Sequence, residues 1–203
     1  MYKLYGRPGS GSVAPQMVLE EMGLAHEVVW VDPTEAQGAA YRKINPTGKV
    51  PALLLPDGHA MFESAAMVIH LTDSHPTALG PRPGTPAHAS YLQWMFFLSA
   101  TLYETFLRYF YADRYSSGGQ DDAGRVKAQA AGDLLKAFGT LEDGLHPFLL
   151  GKEVSAADLY LFMLTTWYQP SADDLYRRFP RLAAMARAVA QRPAVAKVMA
   201  ANA

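Results

Sequence analysis

Three short stretches hold the residues whose types and spacing could do chemistry. The first is Tyr5-Gly6-Arg7-Pro8-Gly9-Ser10-Gly11-Ser12-Val13-Ala14-Pro15. Two hydroxyls stand two residues apart in a glycine- and proline-rich turn between an apolar run and a helical pattern. Serines there can donate hydrogen bonds to an anion or cap the coming helix. The second is Lys49-Val50-Pro51. A proline entering a strand cannot donate to a sheet ladder, so it marks a strand start or edge. Lys49 beside it is a carboxylate partner or an ordinary solvated lysine. The third is Glu63-Ser64, where a strand pattern gives way to a helical one. A hydroxyl and free N–H groups at a helix start suit a carboxylate, and Glu63 suits a cation. One dipeptide could therefore take both charges of a zwitterionic group. The plainer alternative is that Ser64 caps the helix and Glu63 favours its dipole.

Composition removes other chemistries. No cysteine occurs in 203 residues, which excludes disulfides, thiolate metal sites and a protein-thiol nucleophile. The six histidines give no i, i+4 pair, so a helical zinc motif is absent and no metal is expected. Formal net charge is -1, and with half the residues hydrophobic and 18% charged the chain reads as an ordinary globular protein. No basic field points to nucleic acid, and no apolar run approaches the roughly 18 residues of a membrane helix. Met1-Tyr2-Lys3-Leu4-Tyr5 reads directly into a strand without a signal-peptide core, so the cytoplasm is the expected compartment.

The elements that must position these residues change character near residue 80. Before it, Lys3–Tyr5 reads as a strand, Ser12–Met22 as a helix stopped by Gly23, and Glu27–Val31 as a β-branched strand. Residues 33–44 have room for a short helix. Ala52–Leu55 and His59–Phe62 flank Pro56-Asp57-Gly58, a hairpin signal, and Ser64–Leu71 is helical in period. The order β-α-β-α-β-β-α predicts a thioredoxin-like mixed sheet with flanking helices over residues 1–78. His75–Pro86, with four prolines and two glycines, reads as a linker, placed at 79–86. Residues 87–203 show no strand pattern and read as an all-helical bundle. Thr85-Pro86 opens a long helix, buried on nearly all faces, over 87–115. A second helix follows Asp121-Asp122, striped by Val126, Ala130, Leu134, Phe138, Leu141 and Leu145. Ser155-Ala156-Ala157-Asp158 reads as a capping box for an apolar helix to about Tyr168, and Pro180–Arg192 and Pro193–Ala201 give two more.

Asn45-Pro46-Thr47-Gly48-Lys49-Val50-Pro51-Ala52-Leu53, then Phe62-Glu63-Ser64-Ala65-Ala66, then Gly151 with Ser155-Ala156-Ala157-Asp158, resemble in this order the cytosolic glutathione S-transferases. The resemblance spans essentially the whole chain. It implies a cis bond before Pro51, with the Val50 backbone pairing the cysteinyl unit of glutathione. It also implies that Glu63 and Ser64 bind the γ-glutamyl end and that Lys49 reaches the glycyl carboxylate. Glutathione enters as co-substrate, its thiolate stabilised by a protein hydrogen-bond donor for attack on a small hydrophobic electrophile. A homodimer is implied as well, in keeping with ten aromatic side chains on residues 87–115.

Three donors compete. Pro8-Gly9-Ser10 resembles the delta-like enzymes, in which the serine is catalytic. The frame Pro8 to Pro15 resembles the bacterial beta class, whose cysteine falls at Gly11, which leaves Ser12 as the adjacent hydroxyl and the helix N-cap. The strand tyrosine of other classes matches Gly6, and Tyr5, one residue away, points to the opposite sheet face. Ser10 ranks first, Ser12 second and Tyr5 third. Tyr103, Arg108 and Tyr111, each with a polar tip, are the candidates for an apolar electrophile site across a cleft. The alternative to an enzyme is a transferase-like protein that holds glutathione or a hydrophobic ligand without fast turnover.

Overall fold

Alternating burial along Tyr2–Gly6 makes β1 the centre of the first sheet: Leu4 is fully buried, opposite Val28 on one side and Leu53 on the other. The computed structural model describes all 203 residues, Met1–Ala203. After β1 come α1 (Val13–Glu21), β2 (His26–Trp30), α2 (Pro33–Gln37), α3 (Ala39–Arg42), β3 (Ala52–Leu54), β4 (Ala60–Phe62) and α4 (Ser64–Ser74). The sheet order is β2-β1-β3-β4, with β1 parallel to β2 and antiparallel to β3, and β3 antiparallel to β4. The order of elements along the chain is the thioredoxin-like one read from the sequence. The stretch 33–44 holds two short helices rather than one. Asp32 caps the first through the Thr34 N–H at 2.7 Å, and Gly38 separates them.

The N-terminal sheet and its helices form one compact unit, residues 1–88 together with 188–203; residues 89–187 form the other. The sequence division at 79–86 places residues 188–203 with the helical part, and the last helix, α11 (Pro193–Ala201), packs on α1. Arg192 makes two bonds to the Glu21 carboxylate at 2.7 and 2.6 Å, Lys197 reaches Glu20, and Asn202 donates to Gln16. Val195 and Val198 supply its buried face.

In the second unit the expected single helix is interrupted. α5 (Pro86–Phe96) passes into a π-helical stretch, Phe97–Tyr103, and returns to α geometry in α6 (Glu104–Phe110); a 3₁₀ turn, Ala112–Tyr115, follows. Burial is also less complete than expected, since Phe96, Phe110, Tyr111 and Tyr115 are exposed. α7 (Gln120–Gly144) buries Ala130, Leu134, Phe138 and Leu141 of the predicted stripe. α8 (Ala156–Thr165) is buried along its whole length. The Asp158 carboxylate accepts from the Leu149 N–H at 2.9 Å, the Ser155 N–H at 2.8 Å and the Ser155 hydroxyl at 2.6 Å. α9 (Ala172–Arg178), capped by Ser171 through the Asp174 N–H, was not anticipated; α10 (Pro180–Ala190) follows. Glu142 caps the start of α10 by accepting from the Arg181 and Leu182 N–H groups at 2.9 and 2.8 Å. No helix is long and apolar enough to cross a membrane.

Candidate functional site

The strand register brings the three chemical stretches to one end of the sheet. Tyr5 of β1 pairs with Ala52 of β3, which pairs with Phe62 of β4. The turn after β1, the Lys49–Pro51 entry to β3 and the Glu63-Ser64 exit from β4 therefore leave the sheet side by side. Three adjacent strands span about 10 Å, close to the length of three extended residues.

In the first turn, close approach dictates residue type. A Cβ on Gly6 would lie 2.5 Å from the Ser12 hydroxyl, so only glycine lets β1 and the helix start meet. Ser12 is fully buried beside it, while Ser10 is half-buried. The Ser10 hydroxyl donates to the Arg7 carbonyl at 2.7 Å and lies 2.9 Å from the Ser12 hydroxyl. Ser12 in turn accepts from the Arg7 N–H at 3.3 Å, and its hydroxyl also reaches the Arg7 carbonyl at 3.2 Å. Ser12 occupies the N-cap position of α1 but makes no capping hydrogen bond, because its side chain points back into the turn. The expected capping role is corrected accordingly. Tyr5 faces away, its ring edge-on to Tyr41 at 6.0 Å in the cluster of Val31, Ala36, Tyr41 and Ala52.

The Val50–Pro51 bond is cis, as the resemblance implied. Val50 lies two residues before the Ala52 pairings, off the end of the ladder. Two groups without an assigned role hold the residue before it. The Tyr41 hydroxyl and the Asn45 amide donate to the Lys49 carbonyl at 2.9 and 2.6 Å. Asn45 is buried and also accepts from the Thr47 N–H and hydroxyl, shaping the turn whose Gly48 has φ 65°. Burial pushes the Tyr41 hydroxyl up to about 12, so it stays a neutral donor. The Lys49 side chain is exposed. Asn45 stood inside the recognised motif; Tyr41 carried no local signal beyond that of a core aromatic.

Glu63 alone among the non-glycine residues has positive φ, 72°. Such a backbone costs about 1–3 kcal/mol and persists where the surroundings enforce it. Glu63 is the residue before α4 and makes no side-chain cap, so Ser64, largely buried, is the first helical residue rather than the cap. The twist turns the exposed Glu63 out at the positive end of an 11-residue helix.

The Tyr103 ring stands edge-on to Trp167 at 4.9 Å, at the end of the π-helical stretch. Arg108 pairs with Glu104 at 3.9 Å and lines a cavity of about 360 Å³ with Arg125, Val126, Gln129, Ala130 and Asp133. Tyr111 is exposed, with the Arg114 guanidinium 4.0 Å above its ring.

A mixed thioredoxin-like sheet with a cis-proline strand entry and a left-handed acidic residue, in a chain whose second unit is helical, defines a two-unit class of thioredoxin-like protein. Residues 13–74 match the glutathione S-transferase N-terminal domain and residues 102–202 the glutathione S-transferase C-terminal domain. Glutathione S-transferase GST-4.5 of Xanthomonas campestris pv. campestris is 32% identical over 178 residues, covering 85% of each chain. The bacterial beta class glutathione S-transferase of Sphingomonas chungbukensis superposes with a TM-score of 0.84 at 32% identity, covering 98% of each chain. A sphingomonad glutathione S-transferase complexed with glutathione gives 0.84 at 30% identity over the same share. The chain belongs to the glutathione S-transferase family.

Proposed function

We propose that the protein is a glutathione transferase that stabilises the glutathione thiolate for attack on a hydrophobic electrophile. The observation that carries this reading is the row at one sheet end: Ser10, then the Val50–Pro51 entry, then Glu63-Ser64. A sphingomonad relative of the same fold is known complexed with glutathione, which supplies the ligand. In this reading the Val50 backbone pairs with the cysteinyl unit, Glu63 takes the α-ammonium, and Ser64 with the first turn of α4 takes the adjacent carboxylate. Lys49 serves the glycyl carboxylate. Ser10 is the donor to sulfur, since its hydroxyl is half-exposed whereas Ser12 is sealed. Hydrogen bonding to the ionised form lowers a thiol pKa. Tyr103, beside Trp167, is the preferred aromatic for the electrophile; Arg108 and Tyr111 engage other neighbours. A non-catalytic ligand-binding role is not favoured, because the similar bacterial proteins carry transferase names.

Glu63→Ala and Ser64→Ala should each weaken glutathione binding by about 1–3 kcal/mol, the scale of a lost charge-assisted bond. Calorimetry on variants with wild-type circular dichroism reads this directly; unchanged affinity in both removes the assignment. The reading also includes a cytoplasmic homodimer. The exposed aromatics of residues 96–115 support a subunit interface. Light scattering should give twice the 22.2 kDa chain mass, and a monomer at micromolar concentration refutes the dimer.

A further inference from the structure

Ser12 has no role in the reading above, yet it is fully buried and its hydroxyl sits among three polar atoms of one turn, the Arg7 N–H, the Arg7 carbonyl and the Ser10 hydroxyl. It cannot touch a ligand, because Gly6 closes over it so tightly that even a Cβ would come within 2.5 Å. It does not cap α1. What it does contact is Ser10, at 2.9 Å between hydroxyl oxygens.

The proton count at this turn is informative. Ser10 and Ser12 each have one hydroxyl hydrogen. Without ligand, Ser10 gives its hydrogen to the Arg7 carbonyl at 2.7 Å. To donate to a sulfur, Ser10 must turn that hydrogen outward. The Arg7 carbonyl then keeps the Ser10 N–H at 3.1 Å, which leaves the single Ser12 hydroxyl hydrogen for Ser10. The Ser10 oxygen, which already accepts from the Ser12 N–H at 3.3 Å, accepts that hydrogen too, and the Ser12 oxygen accepts from the Arg7 N–H at 3.3 Å.

We propose that Ser12 is a positioning residue that polarises Ser10, completing a chain of donors from the Arg7 N–H through the Ser12 and Ser10 hydroxyls to the glutathione sulfur. No proton crosses this chain. The thiol S–H bond breaks by releasing its proton to solvent, both serines keep their hydrogens, and the thiolate lone pair accepts from Ser10. Hydrogen bonds in series polarise one another, so a hydroxyl that accepts a bond is a stronger donor than one that does not. The pairing also fixes the Ser10 oxygen in place. This inference rests on Ser10 being the thiolate donor.

The test is the pKa of bound glutathione, read by NMR on ligand labelled with ¹³C in the cysteinyl unit, for wild type, Ser10→Ala, Ser12→Ala and the double variant. Ser10→Ala should raise the bound thiol pKa by about one unit or more, and Ser12→Ala by about half a unit. The double variant should match Ser10→Ala alone, since Ser12 acts only through Ser10. Affinity of Ser12→Ala for S-methylglutathione, which has no thiol to ionise, should stay within about twofold of wild type, a change worth only about 0.4 kcal/mol. If Ser12→Ala does not fold, Ser12→Cys, slightly larger and a weak donor, should give the same rise. A wild-type pKa in the Ser12 variants alongside a raised one in Ser10→Ala overturns the relay and leaves Ser10 as donor. Parallel loss of S-methylglutathione affinity overturns it too, in favour of a role in shaping the turn. An unchanged pKa in Ser10→Ala overturns the donor assignment itself.

Discussion

At the Tyr41 hydroxyl, burial decides both chemistry and stability. In an unfolded chain a tyrosine ionises near 10; here desolvation pushes it up to about 12. Between those values the native state keeps a proton that the unfolded state has lost, so stability must fall as pH rises. Tyr41→Phe should therefore lose about 1 kcal/mol near neutrality, for the missing bond to the Lys49 carbonyl, and then decline less steeply than wild type above about pH 10. Urea unfolding of both proteins at neutral and strongly alkaline pH measures the difference; parallel slopes contradict the assignment. Residue roles of this kind were only partly legible in the sequence. Glu63 and Ser64 stood out by type and place, but nothing local announced that Glu63 adopts φ 72° or that Tyr41 reaches the Lys49 carbonyl. The Tyr41 bond depends on a turn eight residues away in sequence closing against α3. Ser12 was misread for the same reason: its position is that of a cap, and only the closeness of Gly6 turns the hydroxyl inward.

Among the elements, the short strands and their hairpin were legible because proline, glycine and β-branched residues punctuate them sharply. The π-helical stretch Phe97–Tyr103 was not, since a near-continuous apolar run has the same appearance in α and π geometry. α9 was overlooked although Ser171 and Asp174 signal its start; the loop prolines around Pro170 and Pro180 hid a seven-residue helix. The start of α8 was read correctly as a Ser-x-x-Asp unit, and its geometry sets an expected cost. Burial holds the Asp158 carboxyl above the usual carboxylate range, against the three donors it accepts from. Asp158→Ala leaves the Leu149 and Ser155 N–H groups and the Ser155 hydroxyl buried without that acceptor. A loss of about 3–5 kcal/mol is expected, read from the denaturant midpoint at unchanged m-value. A loss under about 1 kcal/mol means that solvent reaches these groups.

For the whole molecule, the sequence pattern separated sheet from helices near residue 80, because alternating short elements give way to uninterrupted helical periodicity. It did not show that residues 188–203 return to the first unit. That grouping follows from the packing of α11 on α1, between residues about 170 positions apart such as Arg192 and Glu21, which no window of sequence can reveal. The central claim is that the chain binds glutathione and ionises its thiol. The most direct measurement is a pH titration of thiolate absorbance in the wild-type complex, corrected for tyrosinate with the ligand-free protein; no protein thiol contributes because there is no cysteine. The account predicts a bound thiol pKa about one unit or more below that of free glutathione. A saturated complex whose thiol titrates like the free tripeptide, or no complex at millimolar glutathione, would contradict it.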